Sequence, residues 1–251
     1  MSLALSLVYF GIPAVILVLF VYGLNPVFTA AGSSPIMAHL LASLVPLILM
    51  FIASLVALRL EGYPLTMAAI SQRFRVHRVA GRDWLWTVAF TVLAFAAYGG
   101  MQFVERSLVT SGVIPLPATV PLAIDPRIPS DLTGINTLLG GQIAGNWLVI
   151  FVNVILLFFN ILGEEFWWRG LIFPRQELVF GRWTWVVHGV LWCLFHAFKY
   201  WDYIALLPVT LALSYVVQRR QNTTIGIIMH GVINGLGVVS LILLVAGVVK
   251  M

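Results

Sequence analysis

Predominantly apolar runs near residues 3–24, 36–59, 84–104, 146–170, 183–200, 203–218 and 223–249 dominate this chain. At about 1.5 Å per residue, most of them reach across the roughly 30 Å of a bilayer's hydrocarbon core. Nothing in that layer pairs with an exposed backbone amide or carbonyl, so such a run closes its own hydrogen bonds as an α-helix. The pattern predicts an all-α, polytopic membrane bundle of about seven transmembrane helices with a cytoplasmic N-terminus. Composition agrees, with 61% hydrophobic and only 9% charged residues, against about 25% charged in a soluble domain. Only Trp201 and Asp202 separate the fifth run from the short sixth one, so these two are expected to form a tight antiparallel pair. No internal repeat or soluble module is visible, and residues 1–251 read as one transmembrane domain. The opening run is longer than a signal-peptide core and no small-residue cleavage site follows it, so it is expected to remain as the first span.

The net charge of +5 resembles a nucleic-acid signal only until the basic residues are placed, because most of them flank spans. With the N-terminus inside, Arg59, Arg73, Arg75, Arg78, Arg82, Arg169, Arg175, Arg182, Arg219 and Arg220 fall on the inner side. Arg106, Arg127, Lys199 and Lys250 fall outside, an imbalance that follows the positive-inside rule. The arginines of the 59–82 connection read as topology determinants that touch anionic headgroups. Trp84, Trp86, Trp167, Trp168, Trp183 and Trp185 near inner ends, with Trp147 and Trp201 near outer ones, fit an interfacial aromatic belt. The outer segment 105–145 carries Pro115, Pro117, Pro121, Pro126 and Pro129, too many for a regular span, and reads as a surface loop, a re-entrant segment or a lid.

Ionisable groups inside spans are costly and mark function. Glu164 and Glu165 end the fourth run, with Arg169 four residues on from the second. That spacing pairs Glu165 with Arg169 on one helix face and leaves Glu164, whose own face carries Asn160 and Trp168, without a cation. His196 follows Trp192 by four residues in the fifth run, with His188 on the same face, while His230 and Asn234 are four apart in the last. Singly, each of these could be interhelical polar glue. Cys193, the single cysteine, lies three residues before His196 and permits a thiol–imidazole pair, although a buried lone cysteine is ordinarily an apolar filler. By rise alone, His196 lies about 21 Å beyond Arg182 and His188 about 9 Å, against about 10 Å for His230 beyond Thr223, so depth favours His188.

Together the three patterns, Glu164-Glu165-Phe166-Trp167-Trp168-Arg169, Trp192 to His196 and His230 to Asn234, resemble the motifs Glu-Glu-x-x-x-Arg, aromatic-x-x-x-His and His-x-x-x-Asn. These belong to the CAAX protease and bacteriocin-processing (CPBP, or Abi) family of intramembrane proteases, and the resemblance covers roughly residues 145–240. Where the family usually has phenylalanine in the second motif, this chain has Trp192, which keeps an aromatic wall. The resemblance implies an endopeptidase in which Glu164 activates water with help from His196, while His230 and Asn234 stabilise the oxyanion. Glu165 and Arg169 would hold the geometry. It selects His196 over His188, which stays in reserve.

The family has been described both as metal-dependent and as metal-independent. Glu164, His196 and His230 are the right ligand types for zinc with an open water position, but no His-Glu-x-x-His helix is present, and no metal or other cofactor is expected. The expected partners are membrane lipids and a protein or peptide substrate, of the prenylated CAAX type or unlipidated, and no nucleic acid. The expected location is the plasma membrane of a prokaryote. Two other functions fit buried Glu, His and Arg: a proton-coupled transporter, against which the lack of a repeat counts, and a noncatalytic scaffold or regulator of the same family.

Overall fold

The computed structural model describes residues 1–129, 131–141 and 144–248. Those residues form helices and connections with no strand. The long helices are α1 (Leu3–Ala30), α2 (Pro35–Leu60), α4 (Arg82–Thr110), α6 (Trp147–Glu165), α9 (Tyr203–Arg220) and α10 (Thr223–Val245). Shorter ones are α3 (Met67–Arg73), α5 (Leu132–Leu138), α7 (Phe173–Phe180) and α8 (Thr184–Phe195). Ser2, Ser34, Thr66, Asp131 and Asn222 each accept a bond from an early amide of the helix they precede, satisfying donors that the helix itself cannot.

Among the described residues, 6 helical stretches are long and apolar enough to cross a membrane, and one of them, Trp147–Phe195, contains both the fourth and fifth predicted runs. The chain reverses inside that stretch at Gly181, whose φ of +51° suits glycine. The difference from about seven lies in the fifth run. Helix α8 has only 12 residues, or about 18 Å, and continues from His196 as a 3-10 segment, Ala197–Asp202, broken at Lys199 (φ −140°, ψ 54°). The predicted pairing of the fifth and sixth runs is present as the packing of α8 against α9.

Helix α1 runs past its predicted end to Ala30, and α4 continues to Thr110. Glu105 and Arg106 are therefore helical, and the predicted loop shrinks and gains α5 and a 3-10 turn, Leu122–Ile124. Val249 and Lys250, which the last run and the outer charge count included, lie outside the described residues.

Many large apolar side chains, such as Leu19 (64% exposed), Val92 (64%) and Phe151 (64%), face outward, as lipid requires. Helix α2 packs on α6, α4 on α9, and α10 against both α6 and α4. At the α2–α6 contact a Cβ on Gly163 would stand 2.8 Å from the Leu47 carbonyl oxygen, so only glycine allows this approach. Trp168, placed by sequence in the interfacial belt, is instead fully buried and stacks on Phe10 with ring centroids 4.1 Å apart. Trp201 is likewise interior, whereas Trp84, Trp147 and Trp183 are half exposed, as belt residues should be.

Two arginines of the 59–82 connection, Arg73 and Arg75, also differ from expectation. Arg73 makes two bonds to Glu61 (2.5 and 3.0 Å) and one to the Gly170 carbonyl (2.9 Å). Arg75 bonds Glu177 at 2.7 Å, Arg175 pairs with Glu61, and Arg220 pairs with Asp83. The N-terminal amine donates to the Arg175 carbonyl. These residues clamp one end of the bundle to itself, because each cation finds a carboxylate from another element within reach. Burial lowers the affinity of the Arg73 guanidinium for its proton, an effect that Tyr63 opposes in part.

Candidate active site

Helix α6 passes without a break into a π-helical turn, Phe166–Ile172. A π-turn widens the helix by one residue per turn and recurs at functional sites. Here it leaves Glu164, Glu165 and Arg169 buried together, at 2%, 0% and 1% exposure. Phe74 presses on Gly170 from outside the turn so closely that an added Cβ would stand 2.8 Å away.

The two carboxylates have separate partners. Glu165 Oε1 accepts from Arg169 Nη1 at 3.0 Å and from His230 Nδ1 at 3.0 Å. Glu165 Oε2 points at α10, where a Cβ on Gly226 would come within 2.4 Å of it. The absence of a side chain at Gly226, one helical turn before His230, is therefore what admits the carboxylate to the first turn of α10. Negative charge is favoured at that end of a helix. The Arg169 guanidinium carbon lies 3.6 Å from the Trp192 ring centroid, a cation–π contact worth about 2 kcal/mol when desolvated.

Glu164 is held by neutral donors alone. Asn160 Nδ2 donates to its Oε1 at 2.6 Å, and Trp192 Nε1 donates to its Oε2 at 2.7 Å. Asn234 Nδ2 donates in turn to Asn160 Oδ1 at 2.7 Å, so the amides of α6 and α10 form a relay that orients the carboxylate. Asn234 thus contacts Asn160 directly, and reaches Glu164 only through it. Each Glu164 oxygen keeps a further lone pair for a water proton.

His196 is the first residue beyond α8. Its Nδ1 stands 2.9 Å from the Trp192 carbonyl oxygen, and since a carbonyl only accepts, Nδ1 carries the proton and Nε2 offers a lone pair. The imidazole thereby caps a carbonyl that the ended helix leaves unpaired.

Glu164, His196, His230, Asn234, Trp192 and Asn160 all line one cavity of about 330 Å³. It also reaches His39, Tyr98 and Lys199. His188 is elsewhere: its Nδ1 is 2.6 Å from Gln176 Oε1 and its ring sits between Phe10 and Phe173. Cys193 directs its sulfur to the Tyr203 carbonyl at 3.6 Å, away from the thiol–imidazole pairing its spacing permits.

The Asn160 bond to Glu164 follows from their shared face of α6, whereas the Asn234 bond to Asn160 and the approach of Glu165 to Gly226 cross between helices. His39 joins the cavity because α2 packs on α6.

Among the described residues, no group of three or more His, Cys, Asp and Glu side chains stands close enough to hold a metal ion. Glu164, His196 and His230 share the cavity and keep both Nε2 atoms free, but they do not stand together as such a group. As placed, these residues do not fit a three-ligand zinc site.

Comparison with known proteins agrees with the motifs. The family model described as type II CAAX prenyl endopeptidase Rce1-like matches residues 145–236, a span that contains all three motifs. No curated protein and no solved structure matches the chain. Over residues 145–236 this chain is therefore similar to the Rce1-like type II CAAX prenyl endopeptidases, in agreement with the resemblance that the three motifs carry.

Proposed function

We propose that the protein is an intramembrane endopeptidase that hydrolyses a peptide bond with water activated by Glu164. The observation that carries this reading is the unequal bonding of the adjacent carboxylates: Glu165 is tied to Arg169 and His230, while Glu164 is held only by the neutral donors Asn160 and Trp192. A carboxylate without a cationic partner, facing a cavity, is the one free to take a proton.

In this mechanism a water bound between Glu164 and His196 Nε2 loses a proton to Glu164 as its oxygen attacks the scissile carbonyl. His230, whose Nδ1 proton is held by Glu165, presents Nε2 to the developing oxyanion. With protons on both ring nitrogens it is a charged donor, and Glu164, Glu165, Arg169 and His230 then sum to zero charge, the condition under which such a cluster survives in low dielectric. Donors fixed before reaction need no reorganisation when the charge forms. The Glu164 proton then passes to the leaving amine, which closes the cycle. Asn234 orients Asn160 and through it the base, and it is the second candidate donor to the oxyanion. No step uses a metal, and the reading treats residues 1–251 as one membrane domain with its catalytic core near 145–240.

The substrate in this reading is a membrane-associated protein or peptide, with prenylated CAAX tails as one class. The test is cleavage of a panel of lipidated and unlipidated peptides by purified protein in bilayers, wild type against Glu164→Gln. Loss of cleavage in a variant that keeps the wild-type melting profile is expected, and cleavage surviving Glu164→Gln overturns the glutamate mechanism.

A further inference from the structure

The catalytic cavity is not centred on Glu164 but extends from it toward one end of the bundle. Helix α6 starts at the end that carries residues 111–129, 131–141 and 144–146, and Leu156 and Asn160 precede Glu164 along it. Helix α2 starts at the same end, and His39 and Ser43 lie in its first turns. Helix α4 finishes there, with Phe95 beside its midpoint and Tyr98 just beyond it. Beyond Glu164 in the other direction come fully buried Trp168 on Phe10, the Arg169–Glu165 pair, and then the ion pairs that clamp the arginine-rich end.

A second cavity, of about 410 Å³, adjoins the first at the loop end, and the two share Tyr98 and Lys199 as walls. Residues 122–126 with Ile128 and Pro129 form part of its lining. Its interior holds two acids that are each 5% exposed, Glu105 and Asp202. Lys199 Nζ donates to Asp202 Oδ2 at 2.6 Å, and Tyr98 donates to the same oxygen at 3.3 Å. Glu105 and Asp202 face each other, and Glu105 Oε2 and Asp202 Oδ1 receive no hydrogen bond from a protein N–H or O–H. Buried carboxylate oxygens without partners are costly in a dry site, and space of this size lined by polar groups is where ordered water resides.

We infer that water, and with it the polar backbone of the substrate, reaches Glu164 from the loop end of the bundle through this polar vestibule. On the positive-inside expectation the arginine-rich end is cytoplasmic, and the peptide segments that this route admits are then extracytoplasmic, which prenylated CAAX tails are not. The substrate class rests on the peptidase reading above, whereas the route of water rests on the cavities alone. Tyr98 and Lys199 stand at the neck between the two chambers, which an entering chain passes on its way from the vestibule to Glu164.

The test is sided thiol labelling of the full chain in cells, in a Cys193→Ala background that removes the single cysteine. Ser43→Cys reports on the catalytic cavity, Ser111→Cys on the loop end and Arg78→Cys on the arginine-rich end. A small, charged, membrane-impermeant thiosulfonate added outside is expected to modify Ser43→Cys and Ser111→Cys and to spare Arg78→Cys. Filling the vestibule with Ala123→Trp, or independently with Gln102→Phe, is expected to slow modification of Ser43→Cys at least tenfold while Ser111→Cys reacts as before. Modification of Ser43→Cys only from the side that reaches Arg78→Cys overturns the proposal. So does modification by a lipid-dissolved maleimide with none by the charged reagent from either side. Labelling as expected from a protein that cleaves no peptide would remove the peptidase reading and leave the route standing.

Discussion

Arginine–carboxylate pairs occur in two settings in this molecule, and they do different work in each. At the clamped end, Arg75 and Glu177 keep 28% and 16% of their side chains exposed, and Arg73 and Glu61 keep 14% and 21%. In the site, Arg169 and Glu165 are both at 0%. The first kind sits in contact with water and headgroups, where solvent screens the attraction and little is lost when one partner goes. The second kind was desolvated when the protein folded, and removing one partner strands the other in low dielectric. A buried pair is therefore no better as a staple, but it is much worse to break, which makes it a fixed reference for the residues bonded to it. His230 takes its orientation from Glu165, and Trp192 takes part of its from Arg169.

That contrast can be broken or sharpened by substitution. The largest effect is expected from Glu164→Gln, which keeps an acceptor for Asn160 but removes the base. General-base losses run at about 10²–10⁴ in rate, so cleavage should fall by that order in a reconstituted assay. Arg169→Met should cost about 3–5 kcal/mol, read as a lowered melting temperature in detergent, and cleavage should fall with it. If Arg169→Met melts like the wild type, the buried pair is no reference at all.

Trp192→Phe restores the aromatic residue usual in the family and removes only the Nε1 bond to Glu164. A hydrogen bond to a charged group contributes about 1.5–3 kcal/mol, so kcat should drop about tenfold or more with KM nearly unchanged and folding intact. Arg75→Ala, at the clamped end, should cost no more than about 1 kcal/mol, with cleavage unchanged.

The smallest effect concerns the roof of the vestibule. The Arg127 guanidinium holds the Asp125 carboxyl below its ordinary 3.8. Its contribution to loop order is present above that ordinary value and fades only as pH falls further, through the lowered value of the folded state. Protease sensitivity of residues 122–129 should therefore rise only below about pH 4, and should be flat between pH 5 and 8.

Much of this was legible in the sequence because helical spacing is local. The pairing of Glu165 with Arg169 follows from four residues on one helix, and the three motifs announce themselves the same way. What did not show was everything that needs a second helix. Trp192 reads as a wall until α8 brings its indole N–H to Glu164. Gly226 reads as one of 21 glycines until the carboxylate of another helix fills the space its side chain would take. Depth counted along single helices favoured His188, but α7 and the turn at Gly181 intervene, and the structure puts His196 in the cavity. The exposed-looking arginines of the 59–82 connection could not be told from headgroup contacts, because their partners Glu61, Glu177 and the Gly170 carbonyl lie on other elements.

The early end of α8 has a further consequence for how the protein is made. A helix of 12 residues is too short to be inserted by itself into a layer that needs about 20. The carbonyls freed where it stops are taken up by groups beyond it: Cys193 by the His196 amide, Leu194 by the Tyr203 hydroxyl, and Phe198 by the Tyr22 hydroxyl. Residues 184–220 should thus enter the bilayer as a single hairpin, after the ribosome has released α9 and with α1 already in place to receive it. Until that moment His196 has no fixed position, and His230 has not yet been inserted. In the proposed mechanism the nascent chain is therefore inert until its last third assembles.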